Sequence, residues 1–228
     1  HNRYRIYYPK TMGDAVWSMY DYNRGCCDNI CYSGVADIFR LPKFSLSFFR
    51  TQIAEGSMLP SGKMPYEVFI PAYRDEILSD TVMVYGNVDE VELVLNGKTI
   101  RRQTADKGPD SDYISVPNGG NGKNLHFPPF TFYGVPKERG VLKAVGYHQG
   151  KKVAEYTVKT PGVPERLDIT YFESGKPATK NDLLIEYVRM LDKQGVLCPV
   201  NGIPVELSVQ GGEIVGPTSY PLEAGVAS

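Results

Sequence analysis

Hydrophobic and polar positions change rhythm twice along this chain. Ala15–Tyr20 (AVWSMY) is a short, mostly apolar run of the kind found in strands covered on both faces. Asp21–Gly34 is rich in Asp, Asn, Arg, Gly and Ser and reads as a loop. Beyond Pro42 the period becomes helical. From Phe44, the residues Leu46, Phe49 and Ile53 recur at spacings of three and four, Phe48 widens the stripe, and Gly56 marks a stop. Strand, loop and helix make one β/α unit, whereas a β/α barrel needs eight units and roughly 250 residues. The expectation is the closing piece of a larger barrel, spanning residues 1–56.

After this the pattern turns all-β. Ser57–Pro65 (SMLPSGKMP), with two prolines and a glycine, reads as a linker over 57–65. Short runs rich in Val, Tyr and Thr follow at Glu67–Ile70, Thr81–Tyr85, Glu90–Leu95, Leu142–Tyr147 and Lys152–Lys159. Asn96-Gly97 is the preferred type I′ hairpin dipeptide, because both central residues need φ > 0, and it joins Glu90–Leu95 to Lys98–Arg101. Gln149-Gly150 marks a second hairpin. About seven strands over about a hundred residues predict an immunoglobulin-like β-sandwich over 66–160. Thr160–Pro164 (TPGVP) is a second hinge. Arg166–Tyr171, Asp182–Asp192 and Ile203–Val209 are further strands, with a turn at Asp192–Gly195 and another strand beginning near Gly225–Ala227. These predict a second, immunoglobulin- or invasin-like sandwich over 164–228, short of its last strands and with an exposed edge. The fold class is mainly β: immunoglobulin-like sandwiches preceded by the last β/α unit of a TIM barrel.

Composition narrows the chemistry. With 25 basic and 26 acidic side chains the net charge is -1, which leaves no electrostatic footprint for nucleic acid. No apolar run approaches the ~20 residues of a membrane span. Three of the four cysteines crowd one loop, as Cys26, Cys27 and Cys31. That spacing matches no zinc motif, and no His lies near it, so loop thiols or one local disulfide are the reading, with no metal. Asp106, Asp110, Asp112 and Asn118–Gly122 offer hard oxygens that suit calcium, but without EF-hand spacing they read as a long solvated loop. There is no GxSxG, no HExxH and no glycine-rich loop opening a helix, so no cofactor is expected.

Trp17 is the only tryptophan, and no glutamate precedes Glu55. On bare sequence Trp17 reads as core. At the end of a barrel strand its indole could instead stack on a sugar ring, because that end faces the active site. Asp21, Asn23 and Arg24 are candidates for the same reason. Phe127, Phe130, Phe132 and Tyr133 could form an aromatic sugar platform on the sandwich. Alternating core positions of one strand explain Phe130 and Phe132 better.

Val16–Asp21 (VWSMYD) resembles the last barrel strand of glycoside hydrolase family 2, the β-galactosidase and β-glucuronidase family. Ser33–Lys43 (SGVADIFRLPK) resembles its segment entering the final barrel helix. Val82–Asn87, Asp89–Lys98 and Leu142–Lys151 are similar to its C-terminal immunoglobulin-like domain, and Arg166–Ser228 to the extra invasin-like sandwich of many bacterial β-galactosidases. The resemblance implies a parent that hydrolyses β-glycosides with retention through two glutamates ~5 Å apart. Neither glutamate can be matched here, so this chain is expected to be non-catalytic alone and to lean on the remainder of the barrel. Trp17 matches the family's sugar-subsite tryptophan. The parent is expected to be bacterial, periplasmic or secreted, acting on a carbohydrate. β-Glucuronidase or β-mannosidase specificity, a carbohydrate-binding module, and a spacer that self-associates stay open as alternatives.

Overall fold

The computed structural model describes residues 15–25, 30–72, 79–106, 125–172, 179, 180 and 182–227. Cys26, Cys27 and the acidic stretch from Asp110 through Asn118–Gly122 lie outside them. Contacts divide the chain into two compact units, one of residues 1–73 and 77–159, the other of 74–76 and 160–228. The described residues are mainly β.

The first unit opens with two-residue strands β1 (Tyr22–Asn23) and β2 (Ile30–Cys31), paired antiparallel inside the expected loop. Helix α1 (Phe44–Thr51) follows Pro42-Lys43. It ends earlier than Gly56, because Gln52 and Ile53 already turn back onto the carbonyls of Phe49 and Arg50. The apolar stripe then meets the sandwich, with Phe44 against Phe69 at 5.6 Å and Phe48 edge-on to Tyr85 at 5.1 Å. Ser57–Pro65, expected as a linker, is folded. Strands β3 (Met58–Leu59) and β4 (Gly62–Lys63) form a hairpin, and Met64 beyond it is fully buried.

Among the described residues the sandwich has two antiparallel sheets. Strands β5 (Val68–Phe69), β6 (Val82–Gly86) and β9 (Phe130–Phe132) make one, in the order β5-β6-β9. Strands β7 (Glu90–Leu95), β8 (Lys98–Thr104), β10 (Val141–His148) and β11 (Lys151–Lys159) make the other, in the order β11-β10-β7-β8. Period-two alternation explains the core. Val91, Leu93, Leu95, Leu142 and Ala144 of one sheet meet Val82, Val84, Phe130 and Phe132 of the other. Each fully buried Phe or Leu removes enough apolar area to contribute ~1.5–3 kcal/mol. The β7–β8 turn falls at Asn96-Gly97, with φ of 51° and 79°.

The helix is locked to this sandwich by polar groups as well as rings. Gln52 is buried, and its amide donates to the Phe127 carbonyl at 2.9 Å and accepts from the Phe127 N–H at 3.1 Å. Asn87 donates to the carbonyls of Ile53 and Pro65 at 3.0 and 2.9 Å. Arg50 forms a two-armed ion pair with Glu67, which raises the guanidinium pKa further, chiefly through the hydrogen bond.

In the second unit, β12 (Pro164–Tyr171), β13 (Glu186–Asp192) and β16 (Val226–Ala227) form a sheet in the order β12-β13-β16, and β14 (Pro204–Glu206) pairs with β15 (Ser219–Pro221). Val188, Val205, Leu222 and Ala227 form its small core. Strand β13 begins four residues later than expected, and Asp182 ahead of it accepts from the N–H and hydroxyl of Thr179 at 2.6 and 3.0 Å. Asp192 builds the predicted turn, its carboxylate accepting from the N–H groups of Gln194 and Val196 at 2.8 Å each and from Gly162 N–H at 2.7 Å.

Candidate functional site

The Trp17 segment is held by backbone geometry. Ser18–Asp21 runs parallel to Ser33–Ala36: Ser18 N–H reaches Ser33 O at 3.3 Å, Val35 N–H reaches Ser18 O at 3.2 Å, Ala36 N–H reaches Met19 O at 3.0 Å, and Asp21 N–H reaches Ala36 O at 3.1 Å. The chains touch so closely at Gly34 that a Cβ there would stand 2.3 Å from Asp21 N and Tyr20 C and 2.4 Å from Ala36 O. The strand expected over Ala15–Tyr20 is thus reduced to a single bridge, Tyr20 with Ala36. It is not buried either: Val16, Trp17, Met19 and Tyr20 are all exposed. Trp17 and Met19 are the most open of them, at 75% and 63% exposed.

Asp21 is the joint of this segment. Its buried carboxylate accepts from Gly34 N–H at 2.8 Å and from Lys43 Nζ at 2.6 Å, and Lys43 also donates to Tyr32 O at 3.2 Å. One oxygen atom therefore joins the strand-like segment, its parallel neighbour and the residue that caps α1. Asp37 does similar work in the next turn, accepting from Phe39 and Leu41 N–H at 2.9 and 2.8 Å. Arg40 lies 3.9 Å over the Tyr20 ring, a cation–π contact.

Trp17 projects from this frame, 75% exposed. Its Nε1–H donates to the Tyr22 hydroxyl at 2.9 Å, and the two rings meet edge to face with centroids 6.4 Å apart. An indole fixed at its polar corner and open on its face is suited to stacking on an apolar ring surface. Asn23 and Arg24 are also exposed, and Asn23 Oδ1 accepts from Gly25 N–H at 2.9 Å. Of the four residues expected at a sugar site, Trp17, Asn23 and Arg24 are open to solvent, whereas Asp21 is turned to internal partners. Tyr22 was not expected to take part; the sequence signal for it is only an aromatic five residues after the tryptophan. Cys31 carries a free thiol 3.4 Å from Ser33 Oγ. Hydrogen bonds from Ser33 first and Tyr22 second pull its pKa below the usual thiol value.

The alternative aromatic platform on the sandwich is not available at Phe130 and Phe132, which are fully buried in the core. Asp106, the start of the acidic loop, accepts from the Thr131 hydroxyl at 2.6 Å. No group of three or more His, Cys, Asp and Glu placed to hold a metal occurs among the described residues. No helix among them is long and apolar enough to cross a membrane.

Residues 79–154, the body of the sandwich, match a family described as a domain of unknown function, DUF4982. The chain is 33% identical to a β-galactosidase of Thermoanaerobacter pseudethanolicus over 95% of its own length and 29% of that protein. It is 29% identical to the β-galactosidase BoGH2A of Bacteroides ovatus over 87% of itself and 21% of that protein. Its fold matches the solved structure of a β-glucuronidase from glycoside hydrolase family 2 with a TM-score of 0.65, at 22% identity, over 87% of this chain and 20% of that one. The chain is supported by these matches as a member of glycoside hydrolase family 2. It covers the C-terminal region of that family, and it spans less than a third of the length of these relatives.

Proposed function

We propose that this chain is part of a retaining glycosidase, a β-galactosidase in the first instance, and that it supplies one wall of the sugar site. The observation that carries the reading is Trp17, held by Tyr22 and open on its face at the end of a segment aligned by Asp21. In this reading residues 15–51 are the last β/α unit of the catalytic barrel. The exposed Val16, Met19 and Tyr20 are where the remainder of that barrel packs. Trp17 stacks on the pyranose, Asn23 and Arg24 offer polar contacts, and Asp21 positions the wall. Retention requires two carboxyl groups ~5 Å apart, one as nucleophile and one as acid/base. No glutamate precedes Glu55, so the pair comes from outside this chain, which binds and braces but does not cleave by itself. The β-galactosidase names of the relatives support the sugar assignment.

The test has two arms. The purified 228-residue chain is expected to show no turnover of p-nitrophenyl β-galactoside, β-glucuronide or β-mannoside. The full-length protein is expected to cleave the galactoside, and Trp17→Ala in it to lower kcat/KM by about tenfold or more, the scale of one lost stacking contact of ~1–2 kcal/mol. Turnover by the isolated chain, or an unchanged kcat/KM for W17A, overturns the reading.

A further inference from the structure

Strand β12 stands at the edge of its sheet, paired with β13 alone among the described residues. Leu167 lies opposite Met190, and Ile169 opposite Val188. These pairs share the inner face of the sheet. Val188 is 3% exposed there, but Leu167 is 46%, Ile169 53% and Tyr171 55% exposed. The core covers the centre of this face and leaves its edge row open. On the opposite face β12 carries Arg166, Asp168 and Thr170, and Asp168 uses one oxygen to accept from Arg189 at 2.5 Å.

We propose that this edge pairs with the same edge of a second copy of the chain, strand β12 against strand β12, antiparallel about a two-fold axis at Leu167. The register follows from geometry and charge. Opposed residues of an antiparallel pair must share a face, so the axis passes through a residue and not between two. An axis at Asp168 sets like charges against each other, and one at Arg166 does the same. An axis at Ile169 opposes Asp168 to Thr170 and makes no ion pair. An axis at Leu167 opposes Arg166 of each copy to Asp168 of the other, making two complementary pairs. On the inner face it sets Leu167 against its own copy, and the bulge between Pro164 and Arg166 ends the regular register on that side. The backbone N–H and C=O groups of two open edges are satisfied at the same time, and the two three-stranded sheets become one of six. A single strand pair gives a small interface, so the dimer is weak and reversible.

Sedimentation velocity of the 228-residue chain across the micromolar range tests this. A monomer–dimer equilibrium is expected, and a monomer at every concentration overturns the proposal. Arg166→Asp is expected to weaken association about tenfold or more, because like charges then face each other twice. Asp168→Arg does the same. An equimolar mixture of the two variants is expected to recover the dimer, since each Asp then faces an Arg. Failure of the mixture to recover, with circular dichroism showing both variants folded, rejects the register. Where Asp168→Arg does not fold for want of its Arg189 partner, Arg166→Lys against Arg166→Asp decides: Lys retains the dimer and Asp loses it. Equal association of those two variants overturns the proposal.

Discussion

Replacing Gly34 with alanine puts the alignment of the Trp17 wall to a direct test. An added Cβ would sit 2.3 Å from Asp21 N and Tyr20 C and 2.4 Å from Ala36 O, all backbone atoms that cannot rotate aside. To reach even 3.0 Å, the tightest approach real Cβ atoms make, the two segments must part by about 0.7 Å. The bonds across them stand at 3.0 to 3.3 Å in the ladder and 2.8 Å from Gly34 N–H to Asp21. That displacement carries most of them past hydrogen-bonding range. Losing three or four, each with a net value near 1 kcal/mol, costs about 3–4 kcal/mol locally. The sandwich core does not share these groups, so the loss is confined to the wall. The assay is simple because Trp17 is the sole tryptophan. Gly34→Ala is expected to raise acrylamide quenching of its fluorescence and speed amide exchange at Val35 and Ala36, with the sandwich's thermal unfolding unchanged. Unchanged quenching and exchange would refute the argument, since the contact distances leave no other way to admit the methyl group.

Phe130→Ala removes a fully buried ring from the centre of the sandwich and is expected to cost ~3–5 kcal/mol in urea unfolding; a loss under 1 kcal/mol contradicts the packing described. Gln52→Ala leaves the Phe127 N–H and C=O without their side-chain partner and is expected to cost ~1–3 kcal/mol, read as a lower unfolding midpoint. Hydrogen bonds from Thr99 and then Tyr147 hold the Glu92 carboxyl below the ordinary range. Its contribution is complete above the unfolded value near ~4.3 and fades as pH falls through the lower folded one. The Tyr147 phenol is raised mainly by its bond to Glu92, so its contribution holds below ~10 and is lost as pH climbs past the folded value. Glu92→Gln is therefore expected to flatten both the acid and the alkaline limbs of a stability–pH curve, and a variant curve parallel to wild type rules this out.

What the sequence revealed was chemistry satisfied within a few residues. Asn96-Gly97 and Gln149-Gly150 sit at hairpin turns with φ values of 51°, 79°, 48° and 76°, because a tight turn constrains only its own dipeptide. Phe130 and Phe132 fell into the core as their alternation predicts. What stayed hidden depends on distant partners. Asp21 has the composition of a loop carboxylate, yet its partners lie 13 and 22 residues away. Gln52 meets a backbone 75 residues downstream, which no local pattern announces. The run AVWSMY states an apolar demand without saying what meets it, so its exposure could only be seen in three dimensions. The prolines and glycine of Ser57–Pro65 signal turns correctly, but the hairpin they build and the burial of Met64 arise from packing.

The clamp formed by Arg50, Gln52 and Asn87 limits how this architecture can be recombined. A cut within Ser57–Pro65, the place where composition invites one, would leave the amide of Gln52 and the carbonyl of Ile53 on one parent and their partners Phe127 and Asn87 on the other. Chimeras that exchange the segment ahead of this sandwich should therefore carry α1 with the sandwich and place the junction ahead of Phe44.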